Sequence, residues 1–449
     1  MAVEIVESCM VTPGEATPQH GVWLSNLDLL VARSHTPTVY VYRRHNNNRR
    51  SAAGPAFFSS DVLKAALSKA LVTFYPLAGR LDARDGGGRP EIRCTGEGAL
   101  FVTARSDAAL DDLGGFVPTD ELRRMLVPSA DGDDLAGILA MFQVTFFKCG
   151  GVSLGVAIHH TAADGLAALD FVNTWAAIAR GAYDDTAALP PWLDRTLLRA
   201  RSPPAVRFDH AEYSRRGGAS NKKVNPFDTA ILPLSKAQVD SLKDEGNSMK
   251  KKLSTFQAVV AHVWRCACKA RGLAGTEEED TRLYMTADAR SRLTSPPLPR
   301  GYFGNAIFRA SAVAKAAAVV AEPLAAAAAE RVSGATRGLD DERVRSLVDY
   351  LEEVVSDAAG LRKGEWVMPE TDLWVISWQG LPIYDADFGW GPPVFMGRAC
   401  LQFSGLVYLV PGPPDGDGRL DVCVAMEPES MATFKQLLYE ELPYSPSTV

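Results

Sequence analysis

The chain has little of what would tie it to a metal, a membrane or a nucleic acid. Its 7 cysteines among 449 residues are scattered (Cys9, Cys94, Cys149, Cys266, Cys268, Cys400, Cys423) and include no CxxC pair. That argues against zinc-finger and thioredoxin-type chemistry and for free thiols in a reducing, cytoplasmic compartment. No metal site is expected. No apolar run reaches the roughly 20 residues that span a bilayer. The opening MAVEIVESCMVTP carries acids and no unbroken apolar core, so it does not read as a signal peptide. Lysine and arginine (47) are outnumbered by aspartate and glutamate (54), for a net charge of −7, which speaks against nucleic acid or an anionic membrane as the main partner.

What is present describes a globular protein: 47% hydrophobic and 22% charged residues, in a chain longer than one hydrophobic core usually holds, so two domains are expected. The region from about Pro190 to Asn225 is rich in Pro, Arg, Gly and Ser and reads as a linker or crossover. It divides the chain into an N-terminal domain (1–190) and a C-terminal domain (226–449). Each half mixes strands and helices, which places the fold in the α/β class with mixed sheets.

One stretch organises the first half. In VSLGVAIHHTAADG, Val152, Leu154, Val156 and Ile158 alternate with Ser153, Gly155 and Ala157, the period of a strand. His160 continues the apolar face and His159 the other. MFQVTFFKCGG before it makes a hairpin with this strand. After Asp164, Leu166, Leu169, Val172 and Trp175 fall at helical spacing, ended by Gly181. An imidazole at such a corner can take a proton from a nucleophile and return it. Asp164 could orient that ring, or could turn away and hold the loop by pairing with an arginine.

Elsewhere, residues 3–11 alternate as an edge strand, and SHTPTVYVYR reads as a strand carrying His35, Thr38 and Tyr40. Asp61 is placed as the cap of a helix. Ser254 or Thr255 caps a long amphipathic helix directly after Lys250, Lys251 and Lys252, and a helix N-terminus beside lysines suits an anion. Ser311 to Val332, rich in alanine, reads as helix. LQFSGLVYLVPGPPDGDGRLDVCVAME reads as a hairpin.

His160-Thr-Ala-Ala-Asp164-Gly165 in mid-chain and Asp387-Phe-Gly389-Trp-Gly391 near the C-terminus, in that order, resemble the HxxxD and DFGWG motifs of the BAHD acyltransferases, CoA-dependent plant enzymes. SNLDLL, YPLAGRL and Tyr302-Phe303-Gly304-Asn305 extend the resemblance along the chain, which is most similar to the hydroxycinnamoyl transferases. The resemblance implies two chloramphenicol-acetyltransferase-like domains with a channel between them, a monomer, and small-molecule substrates with an acyl-CoA as co-substrate rather than a bound cofactor. It implies His160 as general base and a structural Asp164 paired with Arg290 or Arg292. The DFGWG loop, with Asp387, Gly389 and Gly391, is implied to be structural as well. Lys251, Lys252, Ser254, Thr255 and Arg290 are implied to face CoA, and Thr38 and Tyr40 the aromatic end of the acyl group. His35 and Trp378 are implied to border the acceptor, Trp378 as an oxyanion donor and Asn305 as the holder of the imidazole tautomer.

The sequence departs from shikimate- and quinate-using relatives at two acceptor positions, which here read Lys363 and Ile376. Lysine is a poor substitute for a bidentate arginine, isoleucine removes a hydrogen bond, and Glu365 and Asp372 stand nearby. These features point to a cationic acceptor: putrescine, agmatine or an arylamine such as tryptamine. The alternative is O-acylation of shikimate, quinate or glycerol.

Overall fold

The computed structural model describes residues 2–44, 58–82, 88–130, 135–184, 189–213, 226–247, 253–275, 278–324, 328–356, 368–414 and 416–442. Lys251, Lys252, Lys363 and Glu365, and most of the glycine- and serine-rich part of the expected linker, lie outside them. The strands are β1 (Val3–Val11), β2 (Gly21–Trp23), β3 (His35–Tyr42), β4 (Arg80–Asp82), β5 (Glu91–Arg93), β6 (Ala99–Ser106), β7 (Ala140–Phe147), β8 (Val152–His159), β9 (Asp228–Leu234), β10 (Asp280–Asp288), β11 (Ile307–Lys315), β12 (Leu373–Ser377), β13 (Phe395–Arg398), β14 (Leu406–Pro411) and β15 (Leu420–Met426). They form two six-stranded mixed sheets, in the orders β1-β6-β7-β8-β3-β13 and β11-β10-β12-β14-β15-β9, and a small sheet β2-β5-β4.

This is the expected mixed α/β architecture, with β1 at a sheet edge and β7 and β8 forming the expected hairpin. β13 comes from the C-terminal half of the chain yet closes the edge of the first sheet against β3. From the 190–225 region, Arg195 and Leu198 are 2% exposed, so this part of the chain packs into the molecule. The alanine-rich segment starts as strand rather than helix. Phe308, Ala310, Ala312 and Ala314 are buried on β11, alternating with Arg309, Ser311, Val313 and Lys315, and antiparallel pairing with β10 overrides the helix propensity of alanine. Helices follow at Ala316–Ala321 and Ala328–Arg337. Ser59, not Asp61, caps the helix Ser60–Thr73.

One core lies between the large sheets. Leu154, Val156 and Ile158 of β8, Tyr40 of β3 and Met396 of β13 share it with Trp378, Tyr408 of β14 and Cys423 of β15. The outer face of the second sheet packs a separate core around the helix Thr255–Ala270. β8 is buried along its whole length. Gly155 has a steric reason to be there: a Cβ would sit 1.8 Å from the carbonyl oxygen of Leu126. The chain passes behind this strand so closely that only glycine fits.

Candidate active site

His160 follows the last residue of β8, and its backbone N–H donates to the Ser34 carbonyl at 3.0 Å. The chain then turns through Thr161, Ala162 and Ala163 into the helix Gly165–Ala179, capped by Asp164. Asp164 is 1% exposed and its carboxylate is saturated. Oδ1 accepts from the Ala167 N–H (3.0 Å) and Arg290 Nη2 (3.0 Å), and Oδ2 accepts from the Ala306 N–H (2.9 Å) and Arg290 Nη1 (2.8 Å). Of the two readings open for this aspartate, the geometry is that of the loop-holding one: its lone pairs are spent on helix, strand and guanidinium. Arg290 rather than Arg292 is the partner. Burial opposes the Arg290 charge, and the Asp164 carboxylate more than restores it, raising the guanidinium above its ordinary value. Because Arg290 is committed to Asp164 and Asp288, it does not extend toward a CoA phosphate.

A second buried network grips the same turn. Asp28 and Arg195 form an ion pair at 2.9 Å with side chains 0% and 1% exposed. Arg195 also donates to the carbonyls of Thr161 (3.2 Å) and Ala162 (2.7 Å). Asn305 donates from Nδ2 to Asp28 (3.0 Å) and to the His160 carbonyl (2.8 Å), and from its backbone to Asp28 (2.8 Å). Asn305 therefore fixes the backbone of His160, not the tautomer of its ring. Three consecutive residues, His160, Thr161 and Ala162, are thus tied by carbonyl rather than by side chain, and the imidazole takes no part in holding the turn. Neither Asp28 nor Arg195 stood out in sequence: one sits inside SNLDLL and the other in the segment read as linker.

His160 Nδ1 is buried without a hydrogen-bond partner. Burial lowers the pKa of the ring below its ordinary 6.5, an effect that the charge of Asp164 opposes and that of Arg398 reinforces. The ring is therefore neutral at physiological pH, the form a general base requires. His159 occupies the opposite face, as its strand parity requires. It meets His35 edge to face, with ring centroids 5.2 Å apart, and burial pushes it down to about 3.

That contact corrects the expectation for His35. His35 pairs with His159 in the β3–β8 register, donates to the Ile138 carbonyl at 2.9 Å, and so lies on the sheet face away from His160. Thr38 and Tyr40, of the other parity, do share the His160 face, opposite Val156 and Leu154. Thr36, not singled out in sequence, is on that face too, its hydroxyl donating to Ile158 at 2.9 Å. Across the core, Ile376 is half-buried at the end of β12. Trp378 just beyond it is 8% exposed and packs edge to face on Tyr408 at 5.2 Å. Asp372, at the opposite end of β12, is 0% exposed and accepts from the Arg282 N–H (3.0 Å) and the Thr371 hydroxyl (2.9 Å). It ties β10 to β12 and does not face an acceptor.

Ser254 caps the helix Thr255–Ala270 through a reciprocal pair with Gln257. The DFGWG loop sits at the other end of the first sheet. Asp387 Oδ1 accepts from the N–H groups of Gly389 (2.8 Å) and Gly391 (2.9 Å), both glycines at positive φ (99° and 103°), where a side chain would be strained. Phe388 is buried against Trp175 and Tyr42. Tyr42 pairs with Val152, at the start of β8, so the loop is a strand's length from His160.

A neutral imidazole at a pinned strand-to-helix corner, in a core shared by two mixed sheets, is a group able to take a proton and return it. The chain belongs to the transferase family of BAHD acyltransferases, whose family model matches residues 1–441. It is 72% identical to putrescine hydroxycinnamoyltransferase 1 of Oryza sativa subsp. japonica, over 98% of this chain and 100% of the relative. It is 44% identical to shikimate O-hydroxycinnamoyltransferase of Nicotiana tabacum, over 98% and 100%. Among solved structures, vinorine synthase shares the fold, with a TM-score of 0.74 at 24% identity over 96% of each chain. The protein is an acyl-CoA-dependent acyltransferase of small molecules. Among the described residues, no helix is long and apolar enough to cross a membrane.

Proposed function

We propose that the protein transfers a hydroxycinnamoyl group from its CoA thioester to an amine, putrescine first among the candidates, forming an amide. The observation that carries the amine reading is the 72% identity over the whole chain with a putrescine hydroxycinnamoyltransferase. The 44% identity with a shikimate enzyme supports the chemistry but not that acceptor.

In this mechanism the unprotonated amine attacks the thioester carbonyl carbon. His160 Nε2 accepts the proton that the nitrogen must lose as the C–N bond forms. The carbonyl π electrons move to oxygen, and the indole N–H of Trp378, on the facing sheet, donates to that oxyanion, a contact worth several kcal/mol when aligned. The oxyanion collapses, the C–S bond breaks, and the imidazolium returns its proton to the CoA thiolate. Burial keeps the His160 ring unprotonated before the attack, and an imidazolium so formed gives the proton back readily. Ser254, Thr255, Lys251 and Lys252 are assigned to the CoA side, and Thr38 and Tyr40 to the acyl group. Lys363, Glu365 and Ile376 are assigned to the acceptor.

The test is product mass. Purified protein is given 4-coumaroyl-CoA with putrescine, agmatine, tryptamine, shikimate, quinate or glycerol in separate reactions. Amide formation is expected to exceed ester formation by at least tenfold in kcat/KM; ester formed exclusively would overturn the amine assignment in favour of O-acylation.

A further inference from the structure

Arg398 is a charged side chain beside the shared core that the mechanism leaves unused. It ends β13, the strand that crosses from the C-terminal half into the first sheet, and it lies directly opposite Thr38, which lies opposite Val156. Side chains paired this way project from the same face, so Arg398 stands on the His160 side of the sheet. Its guanidinium carbon is 5.6 Å from the centroid of Tyr408 on the facing sheet. The residue is only 6% exposed, yet its Nε is buried with no hydrogen-bond partner, and no carboxylate among the described residues pairs with it. Arg195, Arg271 and Arg290, comparably buried, each carry an acidic partner. A guanidinium desolvated without a counter-ion is costly, and such groups collect where a ligand supplies the missing acceptor.

We propose that Arg398 is a specificity residue for the acyl donor: its N–H groups donate to the ring oxygen at the para position of the hydroxycinnamoyl group. This rests on the acyltransferase reading above and narrows the donor rather than the acceptor. Two features select that ligand atom. Putrescine, agmatine and tryptamine carry no oxygen or anion for a guanidinium to bind, so the acceptor does not fit. Thr38, the cross-strand neighbour of Arg398, is on the stretch of β3 assigned to the aromatic end of the acyl group, and it lies two residue pairs back along the β3–β8 ladder from Thr36 and Ile158, beyond which His160 follows. At about 3.3 Å per residue and 4.8 Å per strand, the four residues from Val156 to His160 and the two strand spacings from β8 to β13 put the two backbone positions roughly 16 Å apart, which the long arginine side chain shortens. That suits a reacting carbonyl at one end of an aryl propenoyl group and its ring oxygen at the other.

The test measures donor binding without acceptor, so it is independent of whether the acceptor is an amine or an alcohol. Equilibrium Kd values are obtained for 4-coumaroyl-CoA and cinnamoyl-CoA, which differ only in the para oxygen, from quenching of intrinsic tryptophan fluorescence. The wild-type protein is expected to bind 4-coumaroyl-CoA about 10- to 100-fold more tightly, the range for a hydrogen bond to a charged group. Arg398→Met is expected to bring the ratio within about threefold of one by weakening 4-coumaroyl-CoA alone, and Arg398→Lys to restore part of it. A wild-type ratio near one overturns the proposal whatever the variants do, including a variant that fails to fold. Equal weakening of both thioesters in Arg398→Met also overturns it, and would place the guanidinium on the CoA portion instead. Failure of amide formation with normal donor discrimination would count against the acceptor reading alone.

Discussion

Two short motifs each present an aspartate beside glycine, and the structure uses them at opposite ends of one sheet. Asp164 is sealed under the corner that carries His160, with two backbone N–H groups and the two Nη groups of Arg290 occupying its oxygens. Asp387 has a side chain 33% exposed and holds two glycine N–H groups in a loop whose phenylalanine packs on Tyr42 of the first sheet and whose tryptophan stacks on Phe58. Both are structural, but the first fixes the backbone on which the base is mounted, while the second fastens the C-terminal half to the N-terminal one. A signature aspartate thus reports where the fold is pinned, and the proton transfer proposed above is assigned to the neighbouring imidazole, whose Nδ1 is buried without a partner.

The comparison breaks first at His160. His160→Ala is expected to reduce kcat by roughly 10² to 10⁴ with little change in thermal midpoint, measured by steady-state kinetics and calorimetry. Next comes Asp164→Ala, which leaves Arg290 only the partly exposed Asp288 as a counter-ion and is expected to cost about 3 kcal/mol in urea unfolding. If Asp164→Asn instead kept full stability and lost as much kcat as His160→Ala, the aspartate would belong to the chemistry and the contrast drawn above would be wrong.

Protonation sharpens the same corner. His35 and His159 are held neutral in the fold, so the unfolded chain binds more protons below pH 6.5. Stability is therefore complete above that pH and is lost as pH falls below it, by about 1.4 kcal/mol per unit for each ring until its folded pKa is reached. Urea midpoints at pH 7.5 and 5.5 check this, and His159→Phe should flatten the dependence. The acid limb of kcat/KM for the acyl donor should likewise fall below pH 6.5, because the pKa of His160 is lowered. Smallest is Asp387→Ala: two hydrogen bonds near the surface are lost, about 1–2 kcal/mol together, with kcat/KM for the donor unchanged within twofold.

Much of this corner was legible because strand and helix periods are local. The alternation from Val152 fixes which histidine faces the core, and Asp164 before an apolar helical stripe marks a cap. The error at His35 was also a matter of parity, since His35 and Thr38 are three residues apart on one strand and so cannot share a face. The misreadings of Asn305, Arg290 and Asp372 have another origin. Each has a polar side chain able to serve more than one partner, and the partner is supplied by a chain segment that sequence does not place beside it.

The sequence by itself determined the alternation of β8, the capped helix after Asp164, the choice of His160 over His159 and the family to which the chain belongs, because these depend on neighbours a few residues apart. Tertiary structure alone decided that Asp28 and Arg195, 167 positions apart, would hold the carbonyls after His160. It also decided that β13 would cross between halves and set Arg398, without a counter-ion, opposite Thr38. Burying a charge is tolerable only when the whole fold supplies or reserves its partner, and no local pattern records which of those it has done.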